Sequence, residues 1–147
     1  RVIAQPEKIL CNGFESCLGF KGGFSAYYKI ACNGLKSCRD TVGSLTAPIV
    51  TCDGDIACNE KKLIATGSLP KGEQNFIACN GNKACIEANL ISDKMVSCDG
   101  DCTCKDARIE AKKVECAGKR ACYGARIFDA NTIYGYGFNA GSLANLM

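Results

Sequence analysis

Cys-x-Gly-x-x-x-Cys occurs six times in this chain and absorbs twelve of its 13 cysteines. The copies begin at Cys11, Cys32, Cys52, Cys79, Cys98 and Cys116 and close at Cys17, Cys38, Cys58, Cys85, Cys104 and Cys122. Successive first cysteines are 21, 20, 27, 19 and 18 residues apart. The repeat reaches beyond the cysteines. Two residues before each first Cys stands Ile9, Ile30, Val50, Ile77, Val96 or Val114, and just before each second Cys a small residue, Ser16, Ser37, Ala57, Ala84, Thr103 or Ala121. The last three copies add Ala88, Ala107 and Ala125, each followed two positions later by Leu90, Ile109 or Ile127. A period this short, with period-two alternation around β-branched residues, predicts an all-β solenoid in which each copy is one coil: strand, turn, strand, connection. No such coil buries its apolar face alone, so the coils must stack.

Asn-Gly or Asp-Gly follows the first Cys in five copies and marks a sharp turn, where Gly supplies positive φ without steric cost. The 27-residue step contains the Gly- and Pro-bearing stretch 66–75, which predicts a loop bulging from the stack. Repeats cover about 9–128 of a single domain spanning 1–147, with an uncharged tail after Asp129 that caps the last coil, continues as another coil or docks elsewhere. The first three copies depart from the pattern after the second Cys (Gly19-Phe20, Asp40-Thr41, Glu60-Lys61), which leaves their second strands undefined.

Six residues of extended chain would hold two cysteines roughly 20 Å apart, too far for a disulfide. Closure within a copy therefore requires chain reversal at the Gly; the alternative joins neighbouring coils as rungs. The constant spacing inside copies, set against variable coil length, favours closure within each copy. Each such staple would contribute about 2–3 kcal/mol through the unfolded state. Thirteen cysteines in 147 residues imply an oxidising compartment and an extracellular or cell-surface chain. The chain starts at Arg1 without a leader, as a mature product or a piece of a longer protein would, and it contains no Asn-x-Ser/Thr acceptor. Cys102 is the odd one, in the turn of the fifth copy, and is read as free or bonded to another chain.

Chemistry finds little purchase. There is no His, which removes His-based nucleophile systems and the usual ligands of catalytic zinc. The spacing is not that of zinc knuckles, and Asp53-Gly-Asp55 and Asp99-Gly-Asp101 do not continue into an EF-hand loop, so they read as turn formers. No cofactor or metal is expected. Asp40, Glu60, Asp93, Asp106, Glu110 and Asp129 do not recur at one repeat position, as a glycosidase-like carboxylate pair would require, and a non-catalytic chain is expected. A formal charge of +3 is too small to argue for nucleic acid, and no apolar run is long enough for membrane insertion as a helix. Six Thr with no Thr-x-Thr argue against ice binding. Tyr27, Tyr28, Tyr123, Tyr134 and Tyr136 are candidate contacts for sugar rings or for assembly. The aromatic-glycine stretch 20–28 and the tail 133–147 give apolar character to both ends, which favours head-to-tail stacking into open filaments.

The pattern [Ile/Val]-x-Cys-[Asn/Asp]-Gly-x-x-x-Cys-x-x-Ala-x-[Ile/Leu] resembles the cysteine-rich right-handed β-helix repeats of secreted and cell-surface proteins of algae and other protists. The resemblance implies a right-handed parallel β-solenoid of about six to seven coils. It also implies an extracellular structural or adhesive role, as in flagellar hairs or a matrix. The expected function is a filament, fibre or surface layer built by self-association or with other extracellular structural proteins. The alternative is a carbohydrate- or surface-binding module of a larger secreted protein.

Overall fold

A computed structural model describes residues 6–17, 24–39, 43–67, 69, 72–136 and 145–146, with the backbone alone for Phe24, Tyr136, Asn145 and Leu146. Among these residues there are fourteen short strands and no α-helix. The first strand of each coil is β1 (Lys8–Leu10), β3 (Lys29–Ala31), β5 (Ile49–Thr51), β7 (Phe76–Ala78), β9 (Met95–Cys98), β11 (Lys113–Ala117) and β13 (Thr132–Tyr136). They stack in that order into one parallel sheet. The second strands, β2 (Phe24–Ser25), β4 (Ser44–Ala47), β6 (Lys62–Ala65), β8 (Asn89–Ser92), β10 (Arg108–Glu110), β12 (Arg126–Phe128) and β14 (Asn145–Leu146), make the other sheet. The chain is a parallel β-solenoid.

Register follows from the repeat. Ile9, Ile30, Val50, Ile77, Val96, Val114 and Ile133 are paired position by position along the first sheet. Leu45, Leu63, Leu90, Ile109 and Ile127 do the same in the second. A slip of one residue would turn each of these side chains to solvent, so the apolar ladders fix the stacking. From Ile30 to Val114 and from Leu45 to Ile127 they are at most 1% exposed. At about 1.5–3 kcal/mol for each buried aliphatic side chain, these two ladders are the main attractive force between coils.

The six disulfides close within copies: Cys11–Cys17, Cys32–Cys38, Cys52–Cys58, Cys79–Cys85, Cys98–Cys104 and Cys116–Cys122, with Cα atoms 5.8 to 6.2 Å apart. Neighbouring cystines lie on one another. Sulfur atoms of Cys32, Cys52 and Cys58, for example, fall within 4.8 Å of each other. The third side of the core is therefore a column of sulfur next to the small residues Ser37, Ala57, Ala84, Thr103 and Ala121, all fully buried.

The glycines act differently from the expectation. Of the six repeat glycines, only Gly118 takes a positive φ, +106°. The left-handed residues are instead non-glycine: Glu15, Lys36, Ile56, Lys83, Cys102 and Arg120, each four after its first Cys, and all six second cysteines. The repeat glycines serve close approach. A Cβ on Gly34 would overlap the carbonyl oxygen of Gly13, one on Gly54 that of Gly34, and one on Gly81 that of Gly54. Glycine is there so that one turn can lie directly on the next.

The second strands of the early copies exist and show why their pattern is hidden. Leu63 stands five residues after Cys58, as Leu90 does after Cys85, but the Ala column at that coil is occupied by buried Lys61. Leu45 comes seven residues after Cys38, so two extra residues displace the motif. Phe24, also seven after its Cys, pairs with Leu45. The described part of the tail continues the solenoid. Ile133 lies beside Val114 and Leu146 beside Ile127, while Gly135 stands opposite Cys116, so the seventh coil carries no staple at that position.

Candidate functional site

The turns form a third face built from every Cys-to-Cys segment. A left-handed non-glycine residue costs about 1–2 kcal/mol, so something must hold two of them in each turn. Hydrogen bonds to both neighbours and the disulfide do so. The amides of Glu15, Lys36, Ile56, Lys83 and Cys102 donate to the following coil, at Leu35, Asp55, Asn82, Asp101 and Lys119. Those of Cys38, Cys58, Cys85, Cys104 and Cys122 donate to the preceding coil, at Ser16, Ser37, Ala57, Ala84 and Thr103. The turns are thereby laced together as the strands are.

Side chains add a second lacing. Asn33 Oδ1 accepts from the Asp53 amide at 3.4 Å, Asn80 Oδ1 from the Asp99 amide at 3.3 Å, and the Asn80 amide donates to the Asp53 carboxylate. Asp55 Oδ1 accepts from Asn82 N at 3.0 Å and Asp101 Oδ1 from Lys119 N at 3.2 Å. The two Asp-Gly-Asp motifs are thus turn formers, and the carboxylates of Asp53, Asp55 and Asp101 also bond the next coil. Although Asp53 lies at the surface, the coils on either side take water from it, and this desolvation raises its carboxyl above the ordinary 3.8 against the opposing effects of the Asn80 amide and the Lys29 charge. A raised folded-state value means that the native chain binds more protons just above pH 3.8. Stability is then lost as pH rises through the shifted value. Asp53→Asn, which keeps an acceptor for Asn80, should raise the melting temperature at neutral pH. The gain should vanish below the ordinary carboxylate value; an equal gain at both ends of a pH series of melts would contradict this assignment.

Cys102 is the free cysteine. It is half-buried on the turn face, in the column between Lys83 and Arg120, with φ of 56°. The cysteine triads that lie within ligand distance, such as Cys11 with Cys32 and Cys38, are stacked cystines and have no thiolate to offer a metal.

The four tyrosines with described side chains are spread from the first coils to the last. Tyr27 is 65% exposed at the corner between β2 and β3. Tyr28 is half-buried with Lys8 Nζ 5.4 Å from its ring, and Tyr123 is half-buried in the sixth turn. Tyr134 is 40% exposed on the last coil, with Lys113 Nζ 5.3 Å from its ring. The Tyr136 side chain lies outside the described residues. Tyr27 lines an open groove of about 300 Å³ with Ser25, Thr46, Pro48, Thr66 and Gly67.

Asn75 is a residue that the repeat pattern does not reveal. It is 5% exposed at the end of the 66–75 insertion, where its Nδ2 donates to Gly67 O at 3.1 Å and its Oδ1 accepts from Ser92 Oγ. Ser92 Oγ in turn accepts from the amides of Lys94 and Met95. This network clamps the loop to the following coil. In the sequence its only trace is an Asn at the end of the insertion, outside the repeat pattern.

Both ends expose apolar side chains. Leu10 is 58% and Phe14 65% exposed on the first coil, with Leu35 beside Phe14 at 41%; on the last, Ile133 is 38% and Tyr134 40% exposed. β1 and β2 form one edge of the two sheets and β13 and β14 the other. The six disulfides fit an oxidising environment. Compared with protein-family models, with curated proteins and with solved structures, the chain matches none.

Proposed function

We propose that this chain is a non-catalytic, secreted structural protein whose copies stack head to tail into an extracellular filament or surface layer, in the manner of the algal and protist surface proteins that its repeat resembles. One observation carries the reading: the two ends of the stack are parallel strand pairs with exposed apolar residues, Leu10 and Phe14 at one and Ile133 and Tyr134 at the other. Unpaired strand edges template further pairing. Because all strands run parallel, a second copy set on the last coil would continue both sheets and both aliphatic ladders. The contact is heterologous, so it propagates. Cys102 supplies a thiol through which neighbouring filaments could be joined covalently.

Electron microscopy and sedimentation test this together. The chain should form concentration-dependent fibres. Leu10→Asp and Ile133→Asp should each block growth without lowering the melting temperature appreciably. A mixture of the two variants should stop at dimers, since each retains one intact end. Monodisperse monomers of the unaltered chain at high concentration would end the filament reading.

The groove beside Tyr27 favours a second reading, a module for neutral glycans. An exposed ring for stacking stands beside the hydroxyls of Ser25, Thr46 and Thr66, with no charged residue in the lining among the described residues. Glycan-array binding lost in Tyr27→Ala and kept in Tyr134→Ala would support it; no binding by the unaltered chain would remove it.

A further inference from the structure

We propose that Asn12 is a site of spontaneous covalent modification, converting to aspartate and isoaspartate, and that the stacking of coils protects the chemically equivalent Asn33 and Asn80. All three are followed by glycine, the neighbour that least hinders the reaction. The Gly amide nitrogen attacks the side-chain Cγ, the side-chain nitrogen leaves as ammonia carrying the amide proton, and a five-membered succinimide forms. Water then adds to either of its carbonyls and opens the ring to aspartate or to the β-linked isomer.

The step needs a free side-chain amide, a glycine nitrogen able to lose its proton, and room for the backbone to rotate. Asn33 lacks all three. Its Oδ1 faces the Asp53 amide and the Thr51 hydroxyl, each at 3.4 Å, and the Gly34 nitrogen donates to Cys11 O at 3.3 Å. Gly34 is itself pressed on the carbonyl of Gly13. Asn80 is held by the Asp99 amide, with Gly81 pressed on Gly54. Asn12, Asn33 and Asn80 are all exposed, but among the described residues only Asn12 of the three has no side-chain hydrogen bond. Among the described residues a Cβ built on Gly13 would meet only the Cβ of Ser16, at 3.8 Å. Among the described residues no backbone lies against the glycine of the first turn as it does against Gly34 and Gly81, and end coils are where a stack opens first.

Modification would place a new carboxylate on the exposed end coil and, in the isoaspartate form, an extra backbone carbon in the Cys11–Cys17 loop. In the head-to-tail assembly proposed above, a coil would lie on Gly13 as the first coil lies on Gly34. That corollary rests on the filament reading; the reactivity of Asn12 in the monomer does not.

The test ages the folded monomer, isolated by gel filtration, in mildly alkaline buffer made with heavy-oxygen water, followed by peptide mapping. Asn12 should convert at least about tenfold faster than Asn33 and Asn80, whose reaction must await opening of the stack. The reduced, denatured chain should convert all three at similar rates. Gly13→Ala, which the structure accommodates, should slow Asn12 and leave the fold intact. Similar rates for the three in the folded monomer, or faster conversion of Asn33 or Asn80, would overturn the proposal. Slow Asn12 in fibres together with fast Asn12 in monomer would add support to the assembly; fast Asn12 in both would count against the assembly alone.

Discussion

Gly54→Ala should destroy the solenoid, while Gly13→Ala, the same substitution at the same repeat position, should be nearly neutral. In the middle of the stack the added methyl would overlap backbone, the carbonyl of Gly34, and backbone cannot swing aside as a long side chain can. The neighbouring coil would have to move away, breaking the amide bonds that Lys36 and Cys58 make across the turns and loosening the Ile30–Val50 contact of the ladder. Overpacking of this kind costs about 1–3 kcal/mol where side chains can adjust, and more where they cannot. A loss of at least about 3 kcal/mol, read by denaturant unfolding, is the expected result. Gly13 has no coil pressed on it in this way, and its φ is not left-handed, so alanine fits. Should Gly54→Ala melt like the parent chain, close approach of the turns would not be the reason for the conserved spacing of glycine within this sequence.

The second large effect is expected from the staples. Removing one central pair, Cys52→Ala with Cys58→Ala, frees a short loop whose closure is worth about 2 kcal/mol in the unfolded chain. It also opens a gap in the buried sulfur column between Cys32–Cys38 and Cys79–Cys85. The same turn holds Ile56, Cys58 and Glu60 in left-handed backbone, the first of them β-branched. Without the disulfide these residues are free to relax. We expect a loss of about 3–5 kcal/mol, the upper part of the range for a native disulfide. The pair Cys11 and Cys17 should cost less, because it sits at an end and Cys17 is only partly buried. Reduction of all six should unfold the chain, since their combined effect is comparable with the whole stability of a domain this size. Far-UV circular dichroism with and without a phosphine reductant measures it. Retention of the strand signal after complete reduction would show that the ladders suffice alone.

Much of this was legible in the residues. The six-fold cysteine motif and the β-branched residue two positions ahead of it gave the first sheet and its register, because a parallel ladder repeats whatever the sequence repeats. The insertion was visible as extra length. The second sheet was only half legible. Its rungs at Leu45 and Leu63 are masked by two added residues in one coil and by a lysine in the alanine column in the other. The reading of the tyrosines as candidate contacts could not say that Tyr27 lines a corner groove while Tyr123 is half-buried in a turn.

Sequence by itself determined the coil: its period, its staple, its apolar positions and the oddness of Cys102. Those properties are local, set by which residue types recur at which spacing. Tertiary structure alone decided what the glycines are for and where the end coils differ from the rest. Both depend on the distance between one coil and the next, and no single repeat contains that distance. Asn12-Gly13 and Asn33-Gly34 are the same dipeptide after a cysteine, and only the coil before the second puts backbone against its glycine.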